Sequence, residues 1–585
     1  MPDRKDSTNN VSRRRFMRTT VLAGTALGLN PAAPGSAAAS AAAAPLKKTR
    51  RPGKSFTGKR PEDYRVVLQD IGDPLLRMPW PPSPEGLVEG SIGALKDSAV
   101  NMYAFGINHA GGTTHCSKLY PIIGEEQPLL KSGNTLRMMQ AVQRLCEAGH
   151  DPLTLMCDGG HEAGLDVFLR LRMNDHHDRW GDRIGLDKPS RLPKDHPAEP
   201  YFYTPKWKRE HPEWLIGDRH APHPDTSFEY MQSSAGNYAI GPYRDLIFNL
   251  AAETLTQYDL DGFELDFFRS PFLFPIYEAY VQRHVMTELI RRIRRVADEQ
   301  AAKRGRPIFL SARVPATVDL CLRIGSDLPV WFEEGLLDMV VVSNGLSPFS
   351  TPWTELSQLG AKHGIPALAC FTHARPTREG RESLRAATHR AFSSGITGIQ
   401  FWNYFYRMPH YHRPGENPLD LSFTHDLVDP DLVKNGPKKY LLDGSPHTGS
   451  ILTGTFGHAE WPGQTPMMIG LSTDGIGHTV AFDIADDLSR SKPKGAPRAW
   501  VRIVDLGPED RLEFAWNGKP IQPDPKAFAG ITLKDSHEFE FELDAAEVRP
   551  GENHLEIKLL ERHARLEPYV TLVDGRLSIP ELKGA

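Results

Sequence analysis

From about Ala99 to Lys439 the chain repeats one unit: a strand-length apolar run, a polar loop, a helix-length stretch, then another apolar run. The runs are AVNMYAFGIN, DPLTLMCD, GLDVFLRLRMND, LDGFELDFF, RPIFLSARVP, LLDMVVVSN, IPALACFTH and ITGIQFWNY. Segments such as TLRMMQAVQRLCEAG and YRDLIFNLAAETLTQY follow them as helices. Strands that alternate with helices pair in parallel, because each helix carries the chain back to the end where the previous strand began. Eight such units in roughly 300 residues predict an α/β fold of the (β/α)8 TIM-barrel kind. The rival is a doubly wound open sheet, which carries a glycine-rich phosphate loop after its first strand. Here the first run leads into INHAGGTTHC, which lacks the GxGxxG spacing.

After Lys439 the pattern changes to short alternating runs: HTVAFDIADD, RAWVRIVDL, DRLEFAWNGKPI, HEFEFELD and NHLEIKLLE. Turn pairs such as Asn517-Gly518 and Pro550-Gly551 separate them, and no helix-length segment intervenes. This predicts an antiparallel β-sandwich over residues 441–585. The barrel is expected over 91–440, with a long loop from His176 to about Tyr238. Residues 46–90, Pro-rich and basic and then polar, are expected to be linker and lead-in.

The N-terminus carries SRRRFMR, Ser12–Arg18, then the mildly apolar TTVLAGTALGL and an Ala-rich stretch. Arg13, Arg14 and Phe16 resemble a twin-arginine export signal, so residues 1–45 are expected to be a signal peptide and the protein to be periplasmic or secreted. The apolar stretch is too short to span a bilayer, and no cysteine lies near the cleavage region, so no membrane anchor is expected. The formal net charge is −4 and no basic block lies outside the N-terminal region, which argues against a nucleic-acid partner. The cysteines Cys116, Cys146, Cys157, Cys321 and Cys370 are odd in number and form no CxxC pair. In a protein exported already folded they are expected to be mostly buried, reduced thiols, with one incidental disulfide left open.

The run YDLDGFELDFFRSP, Tyr258–Pro271, places three acids in an otherwise buried strand. Alternate residues of a barrel strand face the axis. Phe263, Leu265 and Phe267 are therefore expected to face the helices, and Gly262, Glu264, Asp266 and Phe268 the axis. Asp261 falls at the strand's start and is expected to anchor a loop. Arg170, Arg172 and Asn174 share a parity on the third strand, and Ser311 and Arg313 on the fifth. Arginines on both flanks are expected to hold Glu264 ionised and lower its pKa. Asp266, nearer the C-terminal end where barrel enzymes build their sites, is the leading catalytic candidate.

The stretch DLDGFELDFFRSP resembles the fourth-strand signature of glycosyl-hydrolase-like barrels of secreted bacterial proteins, in particular the family-10-like group. GLDVFLRLRMNDHHD, REHPEWLIG and GSDLPVWFEEGLLDMVVVS fit the same resemblance, which covers most of residues 99–440. It implies the barrel fold and a carbohydrate substrate. Other glycosidase patterns match in part. A chitinase-like DGxDxDxE needs Glu where Phe268 stands. An amylase-like strand has its nucleophile at the position of Asp266, but Glu264 replaces its Arg. Enzymes with an acid on the seventh strand find none in ALACFTH.

Glycoside hydrolysis uses two carboxylates, one as acid and one as base or nucleophile. Asp266 is expected to act as nucleophile or general base, Glu264 and the arginines to position substrate, and Asp175 to supply the second acid, ahead of Glu162 and Glu334. His176, beside His177, is a candidate for holding sugar hydroxyls. The expected substrate-binding set is Arg172, Asn174, His176, Arg269, Arg313, Asn344, His373, Trp402, Asn403 and Tyr404. Gln400 completes the polar lining, and Trp207, Trp214 and Trp331 are further stacking candidates. No cofactor is expected. Two other functions stay open: a non-catalytic carbohydrate-binding protein on the same barrel, and a metal-dependent hydrolase or lyase using MNDHHD with His109, His115 and His161.

Overall fold

Val66–Asp70, sequence VVLQD, is the strand that closes the barrel. The computed structural model describes residues 57–583 apart from 73, 76–77, 110, 127–132, 177, 179–203, 219–220, 222–227, 345–347, 373–379, 403–420, 445–460 and 525–535. The barrel strands are β1 (Val66–Asp70), β2 (Met102–Gly106), β3 (Asp166–Arg172), β4 (Gly262–Asp266), β5 (Phe309–Pro315), β6 (Met339–Ser343), β7 (Ala367–Thr372) and β8 (Gly398–Trp402). All pair in parallel, in the closed order β1-β8-β7-β6-β5-β4-β3-β2.

Two local expectations are corrected. DPLTLMCD is not a strand: it opens the helix Pro152–Glu162, capped by Asp151, whose carboxylate accepts the Leu153 N–H at 2.8 Å. Leu153, Met156, Cys157 and Gly160 are among its buried positions, a spacing of three and four that belongs to a helix face. The missing strand is β1, inside the segment expected to be linker. Every residue of β1 is buried, as in most of the other barrel strands.

The barrel interior has an apolar floor of Tyr64, Val67, Met102, Phe168, Phe309, Met339 and Leu368. Tyr64 is tied down by its hydroxyl, which donates to Asp166 Oδ2 at 2.8 Å. Gly262 faces this floor, and a Cβ there would run into the Phe168 ring, which explains the glycine of the fourth-strand motif. Phe263, Leu265 and Phe267 face the other way, fully buried against the helices. At the strand's start Asp261 accepts the Val167 N–H at 2.8 Å and pairs with His161 at 2.7 Å and Arg306 at 2.8 Å. It is an anchor at the end of the barrel opposite the mouth.

The C-terminal region forms two antiparallel sheets. One carries Lys438–Leu441, Tyr569–Ile579, Arg498–Val504 and Ser536–Glu542 in that order, with Met467–Gly470 also on Tyr569–Ile579. The other runs His478–Ile484, Gly551–Glu561, Arg511–Trp516 and Lys519–Ile521. The Asn517-Gly518 pair makes the tight turn of the last hairpin, with positive φ at both residues. The helix Arg381–Ser393 joins the sandwich to the barrel: Arg390 Nε donates to Asp483 at 2.8 Å.

The cysteines follow expectation, and the disulfide left open is present. Cys116 and Cys146 form a disulfide that ties the loop after β2 to the helix Gly133–Glu147. Cys157, Cys321 and Cys370 are buried free thiols.

Candidate functional site

Strand register brings the expected charges together. Arg170, Glu264 and Ser311 stand side by side on β3, β4 and β5, and Arg172, Asp266 and Arg313 form the next row towards the mouth. All are buried. Gly106 on β2 lies beside Arg170, and a Cβ there would crowd the backbone of Asp70 and Ile71.

Asp266 is the hub. Its Oδ2 accepts from Arg170 Nε at 3.0 Å, from Arg170 Nη2 and from Arg313 Nη2 at 3.2 Å. Its Oδ1 accepts from Arg313 Nε at 3.0 Å and from the backbone N–H of Phe268 and Arg269 at 3.1 and 3.0 Å. Burial alone would raise its pKa, but the two guanidiniums and these hydrogen bonds hold it well below the usual carboxylate range. A carboxylate offers about four lone-pair directions, and these donors occupy them. The lone pairs of Asp266 are engaged by protein donors. It is the anion that keeps two buried arginines in place.

Glu264 departs from expectation in the other direction. Burial outweighs Arg170 and pushes its pKa up to about 7. Arg170 Nε approaches Oε1 only to 3.7 Å, while Gln400 Nε2 donates to Oε2 at 2.6 Å. Arg170 gives its hydrogen bonds to Asp266, so Glu264 receives its field without its donors.

Asp175 is the acid nearest the mouth. Arg172 Nη1 donates to its Oδ2 at 2.7 Å, and Lys208 Nζ donates to its carbonyl at 2.7 Å. Its side chain is 13 % exposed, whereas those of Glu264 and Asp266 are sealed. Glu162 and Glu334 are not brought here. Glu162 ends the helix that leads into the base of β3, and Glu334 pairs with Arg291 outside the barrel at 2.7 Å.

The expected binding residues divide. Arg313 also donates to Ser343 Oγ at 3.1 Å and lies 4.5 Å over the Trp402 ring, while Arg269 lies 5.5 Å from the same ring. Burial pushes the Arg269 guanidinium pKa well down, with Arg172 adding to it. Trp402 therefore faces the axis under two cations. Asn174 is not a lining residue: its Nδ2 donates to the carbonyls of Gly236, at 2.7 Å, and Phe272, and its Oδ1 accepts from Asp175 and Gly236 N–H. Backbone groups of Asp175, Gly236 and Phe272 consume its amide. His176 is buried with its ring edge-on to Phe272 at 4.9 Å, a packing position. Asn344 accepts the Trp461 N–H at 2.6 Å. His373, Asn403 and Tyr404 lie outside the described residues.

The other tryptophans are packing groups. Trp207 lies against Tyr243 at 5.1 Å, Trp214 stacks on His211 at 4.0 Å, and Trp331 sits behind β4 against Phe267 at 5.2 Å. The histidines of the metal reading do not converge. His161 is on Asp261 at the barrel's base, and His115 is buried against the Ile107 carbonyl at 3.2 Å. Among the described residues no three His, Cys, Asp or Glu side chains gather to hold a metal ion. Sequence reasoning missed Lys208 and Ser343. The first lies in the long loop and the second on the apolar run MVVVS.

The closed parallel barrel and its sandwich place the chain in the architectural class of (β/α)8 proteins with a C-terminal β-domain, and the ionic cluster occupies the strand ends where that class builds its sites. No family model matches the chain, and no curated protein is similar to it in sequence. Among solved structures it aligns with α-L-fucosidase isoenzyme 2 from Paenibacillus thiaminolyticus at 16 % identity and a TM-score of 0.38, over 63 % of this chain and 49 % of that one. The chain thus spans about half the length of that enzyme. It also aligns with the PgaB (BpsB) glycoside hydrolase domain from Bordetella bronchiseptica, at 11 % identity, TM-score 0.35 and coverage of 60 % and 96 %. An α-amylase from Lactobacillus plantarum aligns at 11 %, 0.34, and 83 % and 100 %. At these scores the likeness decides nothing about activity, and the barrel stands on its own closed strand order.

Proposed function

We propose that the barrel mouth processes a carbohydrate as a glycoside hydrolase, with Asp175 and not Asp266 as the acid group that meets substrate. The observation that carries this reading is the gathering of Arg172, Arg313, Arg269 and Asp175 at the C-terminal ends of β3, β4 and β5, with Arg313 and Arg269 over Trp402 and Arg172 on Asp175. Buried, pre-oriented guanidiniums suit hydrogen bonding to sugar hydroxyls, and Asp175, hydrogen-bonded by Arg172 and partly open to solvent, is the carboxylate placed to serve as a base. Asp266 acts through Arg170 and Arg313 as a positioning residue. The resemblance of DLDGFELDFFRSP to glycosidase-like fourth strands supports the same substrate class. Export through the twin-arginine route belongs to this reading, and fusing residues 1–45 to a reporter and following its translocation tests it.

One observation favours a second reading, a glycan-binding protein without turnover: the acid at the position of an amylase-like nucleophile is wholly engaged by donors. Reducing-sugar release and gel retardation on a panel of soluble polysaccharides separate the two. Release by the wild type that is lost in Asp175→Asn supports hydrolysis. Retardation without release supports binding alone.

A further inference from the structure

The sandwich reaches the rim of the barrel mouth at the end of β6. Asn344 directly follows β6, and its Oδ1 accepts the backbone N–H of Trp461, 117 residues further along the chain, at 2.6 Å. Trp461 is set in place from its own side as well. Three residues on, Gln464 exchanges two hydrogen bonds with Ala481, at 2.8 and 2.7 Å, on the strand His478–Ile484. The loop after β6 is clamped a second time. Asp443 of the sandwich accepts the Ser350 N–H, and Arg390 donates to the Thr351 carbonyl at 2.8 Å while it pairs with Asp483. The two domains are thus hydrogen-bonded around one mouth loop.

Two features of this junction are unspent by packing. Asn344 is only 2 % exposed, yet among the described residues its Nδ2 has no hydrogen-bond partner. Its orientation is set, because Oδ1 is held by Trp461. Buried donors are normally satisfied, and an orphan at a site is a pointer to a ligand. Trp461 itself presents its ring to solvent, 37 % exposed, although its backbone is fixed. A partly exposed tryptophan on a residue hydrogen-bonded to one with an unspent amide donor offers what a sugar needs, an apolar face to cover and a donor for a hydroxyl.

We propose that Trp461 and Asn344 form a sugar-binding subsite at the rim of the mouth, built jointly by the two domains, which takes a pyranose unit of the glycan. The indole covers the apolar face of the ring and Asn344 Nδ2 donates to a hydroxyl. The inference rests on the carbohydrate reading above and deepens it, because it makes the sandwich part of the site.

The full chain is run through gels containing xylan, pectin, alginate or starch, and the retained polysaccharide is then titrated by calorimetry. Trp461→Ala keeps the backbone N–H that bonds Asn344, so the tie between domains survives the change. It should weaken binding about tenfold with an unchanged melting temperature, the size expected for one lost stacking contact. Trp461→Phe should restore most of the affinity. Asn344→Asp, which keeps the acceptor for Trp461 and loses the free donor, should also bind more weakly. If the wild type is retained and Trp461→Ala binds equally well, the subsite is wrong and the carbohydrate reading stands. If no glycan retards the wild type, the carbohydrate reading falls and takes the subsite with it.

Discussion

Gln400 on β8 reaches across the barrel axis to Glu264 on β4, donating from Nε2 to Oε2 at 2.6 Å and so linking opposite strands through the buried centre. The bond is accepted by an acid that burial has made reluctant to ionise.

Stability should therefore depend on pH through Glu264. Its folded pKa of about 7 lies above the ordinary 4.5, so the folded state holds the proton more tightly than the unfolded chain. That contribution is complete below the unfolded pKa and is lost as pH rises through about 7. Glu264→Gln, neutral at every pH, should become steadily more stable relative to wild type between about pH 5 and pH 8, by a few kcal/mol at the upper end. Melting temperatures of both proteins across this range check it. A constant difference would mean that Glu264 does not titrate there.

Asp266→Asn should cost about 3–5 kcal/mol, because it leaves Arg170 and Arg313 buried without their anion. The sign with pH is opposite to that of Glu264. Asp266 has a depressed pKa, so its contribution is present above the ordinary Asp value and disappears as pH falls below it. Urea unfolding of wild type and variant at neutral and acid pH measures both effects; the gap should narrow in acid.

Asp175→Asn should abolish turnover of the substrate glycan and leave the fold intact, because this side chain lies at the mouth and not in the sealed cluster. A melting temperature within a few degrees of wild type, together with lost reducing-sugar release, is the expected pair of results. Retained release would remove Asp175 from the mechanism.

Gly262→Ala should destabilise the barrel by about 1–3 kcal/mol through overpacking against Phe168. Phe168→Leu should relieve much of that cost in the double variant. Additive effects of the two substitutions would show that the ring does not set the requirement for glycine.

Cys146→Ser should lower stability by about 3–4 kcal/mol on the chain-entropy account, since the bridge to Cys116 closes a loop of separation 30. Thermal melting of the variant, and of wild type with and without reductant, checks this. The three buried thiols should stay unreactive to alkylating agents until the chain unfolds.

The barrel was legible from the alternation of apolar runs and helices, and strand parity separated Asp261 from Glu264 and Asp266 and set Arg170, Arg172 and Arg313 on the axis. Those are consequences of periodicity, which is local. Even the position of DGFELD as fourth strand came out right, though only because the false strand at Pro152 stood in for the unseen β1, a five-residue run next to Pro-rich and basic sequence. Periodicity sets which face a side chain takes. It does not set how far an arginine on the next strand reaches, and so it left open which acid is paired with arginines, which is buried without an arginine donor and which meets solvent. Register decided that: Arg170 extends past Glu264 to Asp266. The same holds for Asn174, spent on backbone more than sixty residues away, for the Cys116–Cys146 bridge, and for Trp461 beside Asn344. Each joins segments distant in sequence, and only the folded chain brings them within hydrogen-bond or covalent reach.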